Sequence, residues 1–510
     1  MRNREEKRQF GFLILSFIAL ATFLRFFMIA NQSLWVDEGL SLIRTDGESF
    51  SIFLDQLISE LYDKYQPAYF ISLFFWRQLF GDSVTALRSL SVIFSIPSII
   101  FTTLVSLKIY GRRHALWTTA LVSFSAFHIY YSQEVRAYSL VMLLASLELY
   151  LFSDVLVNER KVSFKVKLLF WLTVISGCLS SVFIFILTLS ICLSHFCVRG
   201  SLRGWLNWWL PLAACVLPAL LFYSTSPSVA DLKFSLITWQ GGHLFKDNIP
   251  FVAYGLIAGT TYLLPPHQLR VANKARLLLD YWPHLLLLLY SLASILLSLG
   301  KILFVKFDIN KSVMYRGNVF FTVLIAISFF LSTVFAMATH IHWIPRHSSF
   351  MFLIIPLLIP STFCQLSEQS SGGRLLARAA RLGAMLLIAI NIYSLNNYFF
   401  DPSYAREDHR SVAEYIVDQD GSSVKSFSVG GSVRLLRFYG DMKTTGITSN
   451  VPEFSPEIIQ ARVDGADKVF LAVYRNSPLY SVAEAALRSS YTLESKKDFQ
   501  HLAVYKYVRN

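Results

Sequence analysis

Two adjacent carboxylates, Asp37 and Glu38, follow directly on the first long apolar run, in the stretch Asn31-Gln32-Ser33-Leu34-Trp35-Val36-Asp37-Glu38-Gly39. At a partly dry membrane boundary one carboxylate can take a proton from a hydroxyl while its neighbour orients that hydroxyl. Three further polar clusters also sit at the ends of apolar runs. They are Lys64-Tyr65-Gln66-Pro67, with Tyr69 close behind; Ser132-Gln133-Glu134-Val135-Arg136-Ala137-Tyr138; and His340-Ile341-His342-Trp343-Ile344-Pro345-Arg346-His347. Guanidinium groups such as Arg136 and Arg346 suit phosphate through paired hydrogen bonds, and Lys64 offers a third cation. Alone, each cluster says little, because arginine also snorkels at span ends and Trp and Tyr gather at any membrane interface. His340 and His342 lack an obvious third and fourth ligand for zinc. The acidic pair can serve without metal, or Glu134 can join it as an oxygen ligand in a divalent site, and the residues alone select neither.

The elements that must position these groups are membrane helices. The 510-residue chain is 54% hydrophobic and only 15% charged, with a mean hydropathy of +0.48, and its apolar runs approach spanning length repeatedly. The net charge of +13 is distributed over short loops between those runs, which is a topology signal and implies no nucleic-acid partner. Arg2, Arg4, Lys7 and Arg8 precede the first run and place the N-terminus inside. Residues 67–81 are short for a crossing and contain Arg77, so they read as an interfacial helix within the first outer loop, 31–87. With that choice the basic loops around Arg112, Lys165, Arg203, Lys306 and Arg378 all lie inside, and the four polar clusters share the outer face.

Eleven spans follow, near 10–30, 88–107, 115–132, 137–156, 167–180, 182–198, 205–223, 283–305, 318–338, 347–366 and 379–398. The expected fold is mainly α: a polytopic membrane domain over 1–400, then a small extracytoplasmic α/β domain over 401–510. Charge is balanced in that last stretch, 14 Lys/Arg against 14 Asp/Glu, and the alternating runs Lys468–Tyr474 and Leu502–Val508 read as strands. The five cysteines all fall in apolar segments without metal spacing and read as packing residues.

Together these residues resemble the bacterial branch of the C-type glycosyltransferases, which is similar to the protein O-mannosyltransferases and the lipid A aminoarabinose transferases. The resemblance rests on Leu34-Trp35-Val36-Asp37-Glu38-Gly39, Gln66-Pro67-Ala68-Tyr69-Phe70, Leu79-Phe80-Gly81 with Ala86-Leu87-Arg88, the 132–138 cluster, residues 250–270, Pro345-Arg346 and Arg406-Glu407-Asp408-His409-Arg410. It implies a multi-pass enzyme of the bacterial inner membrane, with its C-terminal domain periplasmic. Such an enzyme takes a sugar from a polyprenyl-phosphate donor among membrane lipids and passes it, with inversion, to a hydroxyl on a lipid, glycan or protein. Asp37 then matches the first-loop acidic residue and acts as general base beside Glu38. Arg136, Arg346 and Lys64 face the donor phosphate, and Glu134, Tyr138, Tyr65, Gln66 and Tyr69 contact substrate. Two departures stand out. Gln66-Pro67-Ala68 replaces a His-Pro-Pro or Lys-Pro-Pro of many relatives, and Ser180-Ser181-Val182-Phe183 replaces a turn that often carries His-Tyr. The competing class is a lipid or glycan transporter, which would bind anionic headgroups with the same cations.

Overall fold

The computed structural model describes residues 2–47, 49–59, 66–158, 162–199, 204–213, 245–265, 279–304, 312–339, 343–366, 371–420, 426–429, 433–441, 445–447, 456–463, 465–475 and 479–510, with 202 and 276 besides. Lys64, Tyr65, His340, His342 and most of the span expected at 205–223 lie outside the described residues. The chain forms two compact units. One comprises Met1–Phe27, Leu54–Gly81 and Ala86–Phe400; the other comprises Met28–Phe53, Asp82–Thr85 and Asp401–Asn510. The acidic stretch of the first loop thus belongs with the C-terminal residues.

The first unit is a helical membrane body, and the protein is a multi-pass membrane protein. Its helices are α1 (Arg2–Phe26), then, after α2 (Val36–Arg44) and α3 (Phe50–Ser59), α4 (Pro67–Phe80), α5 (Val84–Tyr110), α6 (Arg112–Ser123), α7 (Ala126–Ser132), α8 (Tyr138–Asn158), α9 (Phe164–Cys178) and α10 (Val182–Arg199). They continue with α11 (Phe245–Ala258), α12 (Trp282–Phe304), α13 (Val313–Thr339), a broken helical run over Pro345–Cys364 and α14 (Ser371–Phe400). Among the described residues seven helices are long and apolar enough to cross a membrane. The span expected at 115–132 is broken, because the Ser125 side chain accepts the His128 N–H and starts α7 afresh. The helix α4 has 14 residues, about 21 Å of rise against about 30 Å of hydrocarbon. Phe152 centres the body's aromatic core, touching Phe170, Trp208, Trp209 and Phe320.

Among the described residues of this body Arg25, Arg88, Glu134, Glu148 and Arg316 are buried charged side chains. Arg25 is fully buried near the end of α1, where its guanidinium donates to the carbonyls of Ala21, Val122 and Ser123 and, at 2.8 Å, to His128 Nδ1. A guanidinium cannot accept, so Nδ1 does, and the ring's proton sits on Nε2, facing Ser98 Oγ at 2.8 Å. The Gln133 amide donates to the carbonyls of Arg25 and Phe27, capping α1 at Phe26 rather than at residue 30. Glu148, in the middle of α8, is also fully buried and accepts a hydrogen bond from Thr188 Oγ1 at 2.9 Å. Glu148 is thus an ionisable group at mid-helix, away from the span ends.

The second unit is a three-layer α/β sandwich plus the first-loop helix α2 and the start of α3. Its sheet runs β2-β1-β3-β5-β4, built from β1 (Ser426–Val429), β2 (Thr445–Ile447), β3 (Lys468–Tyr474), β4 (Tyr491–Asp498) and β5 (Leu502–Arg509). The strand β1 pairs in parallel with β2 and β3, whereas β5 runs antiparallel to β3 and β4. Alternation along β3 sends Val469, Leu471 and Val473 to one apolar layer, with Ile459 and Leu487. Phe470 and Ala472 enter the opposite layer, with Val412, Ile416 and Leu436. The helices that cover these faces are α15 (His409–Asp420), α16 (Val433–Gly440), α17 (Pro456–Val463) and α18 (Leu479–Leu487).

Candidate active site

In the second unit the acidic pair opens α2. Asp37 and Glu38 occupy its first turn, where the positive end of the helix dipole favours negative charge. Successive helical residues point about 100° apart, so the two carboxylates diverge. Glu38 turns inward to 0% exposure, and Asp37 stays half-buried. One Glu38 oxygen, Oε2, accepts the Trp35 N–H at 3.2 Å and Arg406 Nη1 at 3.1 Å. The Arg406 guanidinium also lies over the Trp35 ring, 5.7 Å from its centroid.

The residues around this pair come from the segment that opens the C-terminal part of the chain. The Arg406 N–H donates to Gln32 Oε1, the Arg410 N–H to Ser33 Oγ, and Arg410 Nη2 to the Ala30 carbonyl. Tyr439, on α16, accepts the Leu34 N–H at 2.8 Å, and Arg434 pairs with Asp46. On α2, Gly39 allows close approach, since a Cβ there would lie 3.0 Å from Leu435 Cγ. Glu407 is half-buried beside the pair. Desolvation first, then the charges of Asp37 and Glu38, push its carboxyl up, against the pull of its own backbone hydrogen bond and of Arg406. His409 is buried, and desolvation pushes its ring down to about 4 despite the backbone groups of Leu34 and Glu407.

The first unit holds the cations and aromatic groups. Glu134, fully buried, lies in the turn between α7 and α8, and its carbonyl accepts Ser91 Oγ at 2.6 Å and the Arg136 N–H at 2.8 Å. Tyr131 joins two clusters that are far apart in sequence: it is within electrostatic reach of Glu134, Tyr138 and Arg346, and its ring meets that of Tyr138 edge to face at 5.2 Å. Arg346 follows Pro345, which sits directly on α11 because Gly255 has no side chain; a Cβ there would be 2.6 Å from Pro345 Cγ. His347 stacks on Phe183 at 5.1 Å, so the turn that departs from the family pattern still meets the Pro345-Arg346 segment. At the start of α4 the Ala68 N–H donates to the Leu179 carbonyl, which places Gln66 and the buried Tyr69 next to that same turn.

Within this unit the structure therefore brings together Glu134, Tyr138 and Arg346, with Arg136 in the same turn. His347 belongs to the fourth polar cluster without a role assigned to it there, whereas Tyr131 and Glu148 are not evident as site candidates from sequence, and the partner of Arg406 is not either. Tyr131 carries a local signal in its place beside the polar turn. Arg406 stands in a stretch that carries the resemblance, but its partner, 368 residues away, is not legible from it. Among the described residues no group of three or more His, Cys, Asp or Glu is arranged to hold a metal ion.

No family model matches the sequence, and no curated protein matches it. Solved structures do share its fold. ArnT from Cupriavidus metallidurans in the apo state is similar, with a TM-score of 0.60 at 12% identity over 97% of this chain and 98% of that one. The same protein bound to undecaprenyl phosphate gives 0.58 at 12% identity, with the same coverage. The archaeal oligosaccharyltransferase AglB from Archaeoglobus fulgidus, in complex with an inhibitory peptide and a dolichol-phosphate, gives 0.51 at 10% identity over 98% of this chain and 74% of that one. These are C-type glycosyltransferases, and this chain has their fold.

Proposed function

We propose that this protein is a membrane glycosyltransferase that moves a sugar from a polyprenyl-phosphate donor to an acceptor hydroxyl. The observation that carries this reading is end-to-end likeness to a fold solved with undecaprenyl phosphate bound, in a chain that also carries an acidic pair at the mouth of its first loop. In the proposed step Asp37 takes the acceptor hydroxyl proton as the oxygen attacks the anomeric carbon. The bond from that carbon to the phosphate oxygen breaks on the opposite side, its electron pair leaves with the polyprenyl phosphate, and the anomeric centre inverts. Arg136 and Arg346, with Lys64, meet the charge developing on the leaving phosphate. Glu134, Tyr138, Tyr65, Gln66 and Tyr69 line the substrate, and Glu38 supports the base. The donor is a hexosyl or pentosyl lipid of the bacterial inner membrane, and residues 401–510 are periplasmic.

Release of polyprenyl phosphate from a panel of polyprenyl-phosphate sugars tests this, comparing wild type with Asp37→Asn. Turnover should fall by about 100-fold or more in the variant while donor binding persists. Equal turnover in both proteins would remove Asp37 from the mechanism. A second reading, passage of an intact lipid-linked glycan, draws on Glu148, an ionisable residue at mid-span. Recovery of unbroken donor on the far side of a proteoliposome, with no free polyprenyl phosphate, would select it.

A further inference from the structure

The acidic pair has a second half encoded far downstream. Glu38 is completely buried, and a buried carboxylate needs a cation and hydrogen bonds to remain ionised. Both come to one oxygen, from Arg406 Nη1 at 3.1 Å and the Trp35 N–H at 3.2 Å. Arg406 is itself only 8% exposed, with its own N–H on Gln32 and its guanidinium over Trp35. Glu407, His409 and Arg410 pack around the same stretch, and Tyr439 closes it from α16. This is more binding than a nine-residue helix needs for its N-terminus, since a single capping side chain serves that purpose.

We infer that Arg406 is a positioning residue for the acidic pair: its guanidinium holds Glu38 inward as a structural carboxylate and leaves the half-buried Asp37 as the one that meets the acceptor hydroxyl. The inference rests on the transferase reading and deepens it. It divides the two adjacent carboxylates into a base and a brace, and it makes the residues after 400 part of the catalytic apparatus. Removing Arg406 alone leaves the Glu38 charge next to Asp37 and frees α2 to rotate. Removing both Arg406 and Glu38 takes away the stranded charge, so the double variant should be less impaired than Arg406→Gln.

Wild type, Arg406→Gln, Arg406→Lys, Glu38→Gln and the double variant Glu38→Gln/Arg406→Gln form the test, each assayed for polyprenyl phosphate release and for thermal unfolding in nanodiscs. Arg406→Gln should lower kcat by about 100-fold with the donor KM unchanged, as misplacement of a reacting group does. Arg406→Lys and the double variant should each recover about tenfold, and Glu38→Gln should stay far more active than Asp37→Asn. The unfolding midpoints should show the same non-additivity. Full kcat in Arg406→Gln, or a double variant no better than Arg406→Gln in both assays, overturns the positioning role while wild-type turnover keeps the transferase reading. A wild type that releases no polyprenyl phosphate from any donor overturns both, and non-additive unfolding would then mark the pair as a fold contact alone.

Discussion

Arg25 and Arg406 are both buried arginines, one in each unit, and they are neutralised in opposite ways. Arg25 spends its hydrogen bonds on backbone carbonyls and a neutral imidazole, so its surroundings carry dipoles and no opposing charge. Arg406 faces the buried carboxylate of Glu38, with Glu407 nearby. Carbonyls of this kind are available at any helix end, and through them Arg25 fastens α1 to α6, while His128 links it to α7 and, by Ser98, to α5. An ion pair is specific, because removing either partner strands the other charge. In the membrane body Arg25 thus ties helices together, whereas in the second unit Arg406 holds a carboxylate.

That contrast can be broken at Arg25 first. Arg25→Met should destabilise by roughly 2–4 kcal/mol, the cost of leaving buried carbonyls and His128 Nδ1 without their donor. The loss should be independent of pH, since no carboxylate is uncovered. Unfolding midpoints in nanodiscs across pH 5 to 8 measure this; a cost that faded on acidification would show that a hidden anion balances Arg25 after all.

The second unit should respond to pH through His409 and Glu407, in opposite senses. His409 is depressed to about 4 when folded, so the unfolded chain binds more protons below its usual value near 6.5. Stability should therefore fall by up to about 3 kcal/mol as pH drops from 6.5 to 4 and level off below. Glu407 is raised, so the folded state binds the extra proton and stability is lost as pH climbs through its range. Glu407→Gln should accordingly raise the unfolding midpoint of this unit at pH 7 and leave it unchanged at pH 4. A variant that unfolds earlier at pH 7 would mean that the carboxylate is held by favourable contacts rather than tolerated.

The smallest effect belongs to the interface that seats the acidic helix. In Gly39→Ala the new methyl would press on Leu435 Cγ at 3.0 Å, offset in part by better helix propensity, for a net loss of about 1 kcal/mol. Turnover should drop along with it if the seat of α2 matters to Asp37. A more stable and equally active protein would show that Leu435 simply moves aside.

What the amino-acid sequence determines by itself is whatever depends on neighbouring residues. Apolar length marks the spans, alternation marks β3 and β5, and the turn around Glu134, Arg136 and Tyr138 is legible because its residues are adjacent. The early end of α1 and the buried position of Glu148 are harder to read, since each depends on a side chain whose partner comes from another helix, whereas the break at Ser125 is a local cap on the His128 N–H. The joining of Arg346 to Glu134 through Tyr131, and of Glu38 to Arg406, was decided only by tertiary structure. Hydropathy and periodicity describe which face of an element is apolar, but they say nothing about which distant charge will meet it. Burial of a carboxylate is tolerable only where a cation arrives, and that arrival is a property of the folded chain.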